Sequence, residues 1–77
     1  MTEEEIQQAI AEYGKSYPPM LSVPQAAEIG DVSKATVYEW SSQKRLDDFA
    51  TKHLGRLRLL RDRYVEWLLT GGRASHE

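Results

Sequence analysis

Between Leu21 and Gln43 the chain spells two short helices and the break that separates them. Ser22 and Gln25 stand in the S-x-x-Q arrangement of a reciprocal helix cap, and Pro24 falls in the first turn, where a missing amide costs no helical hydrogen bond. The helix this predicts runs from about Val23 to Ile29 and is closed by Gly30 and Asp31. Val32 follows as an apolar plug. Ser33 offers a second cap, and Ala35, Val37 and Trp40 carry a helical stripe to about Gln43. Helices of about two turns each around so tight a turn have the spacing of a helix-turn-helix, with Val23, Ala27, Val32, Val37 and Trp40 on the buried side.

The flanks add one element before this unit and two after it. Thr2 and Glu5 form a T-x-x-E capping box, and Ile6, Ala9, Ile10 and Tyr13 recur at helical spacing, so a helix is expected from Thr2 to Tyr13. Gly14 and Pro18-Pro19 are expected to end it and to make residues 14–20 a connector. Beyond Leu46 the period changes to two. Phe49, Thr51 and His53 alternate before Gly55, and Leu57 and Leu59 alternate after it, which predicts a hairpin turning near His53-Leu54-Gly55. A last helix, with Tyr64, Val65, Trp67 and Leu68 as its apolar side, runs from about Arg61 to Thr70 and stops at Gly71-Gly72. The expected fold is mainly α with a small β-hairpin. Residues 1–20 form an N-terminal helix and connector, 21–70 the principal domain, and 71–77 a flexible tail.

A chain of 77 residues without cysteine has no disulfide, thiolate nucleophile or cysteine-held zinc, so its core must stand on packing or on a partner. At 40% apolar and 29% charged residues it falls in the globular range. No stretch approaches the roughly 18 apolar residues of a membrane-spanning helix, and the acidic start is unlike a targeting peptide. A cytoplasmic protein with no membrane partner is expected.

The formal net charge of −2 hides a polarised chain. Residues 1–20 carry −3, whereas residues 33–63 carry +4, from Lys34, Lys44, Arg45, Lys52, Arg56, Arg58, Arg61 and Arg63 against Glu39, Asp47, Asp48 and Asp62. Such a distribution either presents one basic face to a polyanion or makes an ordinary mixed surface.

Two segments bear on that choice. LSVPQAAEIGDVSKATVYEW (Leu21 to Trp40) and GRLRLLRDRYVEWL (Gly55 to Leu68) resemble, in order, the helix-turn-helix and the glycine-arginine wing with closing helix of small winged helix-turn-helix proteins related to the MerR family, phage excisionases in particular. The resemblance leaves the first 20 residues aside. It implies a recognition helix starting at Ser33 in the major groove and a hairpin wing on the adjacent minor groove or its phosphates. It implies also a protein without catalysis of its own, which binds repeated attachment sites, bends the DNA, contacts the phage integrase and turns recombination toward excision. Glu39 stands where the family often has arginine, and Lys52-His53-Leu54-Gly55 replaces a doubled glycine at the wing tip.

The residues expected to meet DNA follow from their positions. Ser33, Lys34, Thr36, Tyr38 and Glu39 lie early on the recognition helix, and Lys44 and Arg45 stand at its end, where they can bind phosphate or complement the helix dipole. In the wing these are Lys52, His53, Arg56 and Arg58, the two arginines sharing one side of the pleat and Leu57 and Leu59 the other. Arg61 and Arg63 can reach phosphate or pair with Asp62, Glu66 or Asp47. Trp40, Phe49, Tyr64 and Trp67 are expected in the core. A stacking surface for single strands is the alternative, and would need them exposed among basic residues.

An enzyme is not expected: the chain has no cysteine, no H-E-x-x-H and no phosphate loop, and a Ser41 or Ser42, His53 and Asp47 grouping has no supporting motif. No metal, cofactor or small-molecule substrate is expected. The expected partners are double-stranded DNA, an integrase and further copies of the chain along the DNA. The alternatives are a small transcriptional regulator of the same fold and a protein adaptor working through its acidic first helix.

Overall fold

A computed structural model describes residues 2–71. In chain order the elements are helix α1 (Glu3–Ser16), strand β1 (Met20–Leu21), helices α2 (Val23–Gly30) and α3 (Lys34–Ser42), strands β2 (Ala50–His53) and β3 (Arg56–Leu60), and helix α4 (Arg61–Leu69). The architecture is mainly helical with one small antiparallel sheet of order β1-β3-β2.

Both capping boxes form. The Thr2 amide donates to Glu5 Oε1 at 2.9 Å while the Glu5 amide donates to Thr2 Oγ1 at 3.2 Å. Ser22 and Gln25 exchange the same pair of bonds at 3.0 and 3.4 Å. Each pair satisfies two backbone donors that the first turn would otherwise leave bare. The acceptance of the Thr2 amide bond holds the Glu5 carboxyl below its ordinary pKa, with the Thr2 side chain adding to the effect.

The first helix is longer than the sequence suggests. It passes through Gly14 and ends only at Ser16, so residues 14–16 belong to α1 and not to the connector. The stop is Pro18, which forces the preceding residue out of the helical region; Tyr17 is extended at φ −131°, ψ 148°. Gly14 lies beside α4: a Cβ there would come within 3.3 Å of the Arg61 guanidinium. That guanidinium donates to the Tyr17 carbonyl at 2.7 Å and pairs with Asp62 at 2.9 Å, so α1 is fastened to the start of α4. The connector also supplies β1, a strand too short to leave a period in the sequence. Met20 lies opposite Leu60 and Leu21 opposite Leu59, and the boundary expected after residue 20 falls inside this strand.

Gly30 ends α2 for a reason of space. The left-handed residue there is Asp31, at φ 55°, ψ 46°. Its amide donates to the Glu28 carbonyl and that of Val32 to the Ala27 carbonyl, which closes the helix and sets Val32 against the core. A Cβ on Gly30 would lie 2.8 Å from the Tyr64 hydroxyl, which donates to the Ala26 carbonyl at 2.7 Å. Glycine is what lets α4 dock on α2.

The main core joins Leu21, Val23, Ala26, Ala27, Val37, Trp40, Leu46, Phe49, Leu57, Leu59 and Tyr64, with Trp67 half-buried against it. Burial of each leucine or valine here is worth roughly 1.5–3 kcal/mol of transfer free energy. Trp67 stands edge-on to Trp40 at 5.1 Å and lies 5.8 Å from Phe49 and 6.2 Å from Tyr64. The four aromatics thus serve the core. Ile6 and Val65, buried outside the main cluster, belong to the two helices α1 and α4 that pack together.

Candidate nucleic-acid interface

Helix α3 buries Val37 and Trp40 and turns Lys34, Ala35, Tyr38, Glu39 and Ser42 to solvent, with Tyr38 57% exposed. This face mixes one cation with one acid. Ser33 caps the helix: its Oγ accepts from the Thr36 amide at 3.1 Å and lies 2.9 Å from Thr36 Oγ1. Thr36 is half-buried, so its hydroxyl completes the cap and stands apart from the solvent face formed by Lys34, Tyr38 and Glu39.

At the other end of α3 the chain closes as α2 does. Lys44 takes a left-handed φ of 63°, its amide donates to the Ser41 carbonyl, and the Arg45 amide donates to that of Trp40. This turn throws the two basic side chains apart. Lys44 is exposed, whereas Arg45 is half-buried with its guanidinium 5.6 Å from the centre of the Trp67 ring. Arg45 thereby covers an aromatic edge.

The hairpin pairs Ala50 with Leu59, Thr51 with Arg58, Lys52 with Leu57 and His53 with Arg56. Residues directly opposite share a face of the pleat. Leu57 and Leu59 therefore point inward, as their burial shows, and Arg56 and Arg58 share the outer face. Lys52 sits on the leucine side, but close to the turn of the ribbon, where it is exposed. The cations of the hairpin thus occupy both of its faces. The His53 side chain lies outside the described part of the structure.

Two open clefts join the hairpin to the helices. One, of about 360 Å³, runs along β2 and is lined by Ser41, Ser42, Lys44, Asp47, Thr51 and Lys52 among others. The second, of about 190 Å³, runs along β3 and brings Tyr38 together with Ser22, Pro24, Arg56 and Arg58. The exposed face of α3 therefore opens onto the hairpin at its C-terminal end, through Ser42, and at its middle, through Tyr38. Ser42 Oγ donates to the Glu39 carbonyl at 2.9 Å, and among the described residues no hydrogen bond joins Ser41 or Ser42 to Asp47. No group of His, Cys, Asp and Glu among the described residues converges as a metal site would, and no helix among them is long and apolar enough to cross a membrane.

Among the described residues the side chains of Lys34, Lys44, Lys52 and Arg56 form neither an ion pair nor a hydrogen bond with protein. Arg58 reaches only the neighbouring Leu57 carbonyl at 3.3 Å. Arg61, by contrast, is taken up by Tyr17 and Asp62. Of the positions singled out in the sequence, Tyr38, Lys44, Lys52, Arg56 and Arg58 gather around the hairpin. Lys34 and Glu39 share the exposed face of α3, while Ser33 and Thr36 cap that helix and Arg45 covers Trp67 of α4. The residue that sequence reasoning passed over is Leu54, 88% exposed at the hairpin tip; its place beside Gly55 between two strand patterns was the available signal. No family model matches this chain, and neither does any curated protein or solved structure.

Proposed function

We propose that the chain is a winged helix-turn-helix DNA-binding protein of the excisionase kind, which binds and bends attachment-site duplex and steers a phage integrase toward excision. The observation that carries this reading is the set of cations without an ion pair or hydrogen bond among the described residues, Lys44 and Lys52 in the cleft at the end of α3 and Arg56 in the cleft beside Tyr38. Cations that form no ion pair or hydrogen bond within the fold and gather around one hairpin suit a polyanion, and each phosphate they neutralise releases counterions. Lys34, Tyr38 and Glu39 enter the major groove, Glu39 accepting from a cytosine amino group, while Lys44, Lys52, Arg56 and Arg58 hold backbone phosphates. The bend costs on the order of 1–6 kcal/mol, which these contacts offset. The integrase supplies the strand chemistry.

The excisionase assignment within this class is supported by the resemblance of Leu21–Trp40 and Gly55–Leu68. It is tested by footprinting the protein on an attachment region and by a recombination assay with the matching integrase. Protection of repeated sites in one arm together with a turn toward excision is expected. Protection without any effect on recombination assigns the chain to transcriptional regulators, and the absence of a footprint on any duplex removes the reading.

A further inference from the structure

We propose that Leu54 is an apolar wedge, carried by the hairpin into the minor groove and pressed against a base step there. The inference rests on the DNA-binding reading above and adds a residue and a mode of contact to it. Leu54 and Gly55 connect β2 to β3 with φ of 54° and 78°, the two-residue turn with positive φ at both positions. Asparagine, aspartate or glycine suits the first of these positions; a branched apolar side chain there is strained. This leucine also gains nothing by packing, since it is 88% exposed and a Cβ on Gly55 beside it would have no neighbour within 4 Å. Strain and exposure at one residue, twice as exposed as Leu60 at the far end of β3 and in a hairpin whose Leu57 and Leu59 are buried, point to a partner outside the fold.

The surroundings of Leu54 identify that partner. Lys52 stands on one face of the ribbon just below the tip, and Arg56 and Arg58 on the other. A ribbon with cations on one face lies flat along a single backbone. One with cations on both faces and an apolar tip fits end-on between two backbones, and the minor groove, about 6 Å wide, is bounded by two phosphate strands. A protein surface receiving Leu54 would have to desolvate the same cations. Apolar side chains inserted from the minor groove unstack a base step and kink the duplex, most readily at pyrimidine–purine steps. Leu54 accordingly supplies the bend, and the cations supply the hold.

The test uses the full chain and synthetic duplexes carrying 2-aminopurine at central TA steps, whose fluorescence rises on unstacking. The unaltered chain is expected to raise the signal. Leu54→Asn, which suits the turn, is expected to melt no lower than the unaltered chain, to lose the signal and to bind roughly tenfold more weakly, with its salt dependence unchanged. Leu54→Phe is expected to retain the signal. If Leu54→Asn binds and unstacks as the unaltered chain does, the wedge is overturned while the DNA reading stands. If Leu54→Asn melts lower, the strain argument fails and the wedge with it. A chain that binds no duplex at all loses both.

Discussion

On the side of the molecule where α1 meets α4, Arg61 donates to the Tyr17 carbonyl, pairs with Asp62 and lies under Gly14, and the Tyr17 hydroxyl donates to Glu28 at 2.7 Å. On the side where α3 meets the hairpin, Arg56, Lys44 and Lys52 have no such partners among the described residues, and two residues with left-handed backbone, Lys44 and Leu54, are side chains that disfavour it. The first side spends its polar groups on holding helices together. The second leaves them for solvent or a ligand, and tolerates strain besides. Basic residues thus mean different things within one short segment, and only their partners separate the structural ones from the available ones.

The comparison predicts that damage to the first side appears as lost stability and damage to the second as lost binding. The largest effect belongs to Gly30→Ala. An open helical site would gain from alanine, but here the Cβ meets the Tyr64 hydroxyl, and a loss of about 2–3 kcal/mol in urea unfolding is expected. Combining it with Tyr64→Phe, which alone should cost about 1 kcal/mol, should give less than the sum of the two. Arg61→Ala follows, at about 1–2 kcal/mol, because the Tyr17 carbonyl loses its donor and α1 its fastening. DNA affinity under folding conditions should stay within a factor of about two, since this arginine faces the wrong way.

Arg56→Ala reverses that pattern. Its melting temperature should not move, yet affinity for duplexes of any sequence should fall up to about tenfold and the salt slope should lose about one unit. Lys44→Gly splits the two properties: relief of the left-handed backbone should add about 0.5 kcal/mol of stability while affinity for duplex falls. An Arg56 or Lys44 variant that unfolds easily and binds normally would break the distinction between the sides. The smallest effect concerns acid. Because Glu5 titrates below its ordinary value in the folded chain, its stabilising contribution is complete above the unfolded value and disappears as pH falls through the folded one. Acid titration followed by circular dichroism should therefore show a small loss of helix in the acid range, and Glu5→Gln should suppress it.

Much of this fold was legible because its signals are local. The serine caps at Ser22 and Ser33 bound α2 and α3, and the alternation of Arg56, Leu57, Arg58 and Leu59 marked β3 and its two faces. What was hidden depends on distant partners. Gly14 reads as a helix stop until Arg61 is seen beneath it, and Gly30 as a helix terminator alone until Tyr64 arrives from α4. A strand of two residues, β1, has no period to find. The candidate site divides similarly. The exposed run on α3 follows from helical spacing, but the withdrawal of Arg45 to Trp67 and of Arg61 to Tyr17 required the tertiary contacts. The face taken by Lys52 required the hairpin register, which is fixed by the turn at Leu54-Gly55.

The most direct test of the claim that the α3–hairpin side holds a nucleic-acid backbone is the affinity of the full chain for duplex DNA across a salt series. A steep linear fall of log affinity with log salt is expected, shallower by about one unit for each of Lys44→Ala, Lys52→Ala and Arg56→Ala, and unchanged for Arg61→Ala, whose guanidinium is taken up by Tyr17 and Asp62. An affinity indifferent to salt, or a slope that none of the three substitutions alters, would contradict it.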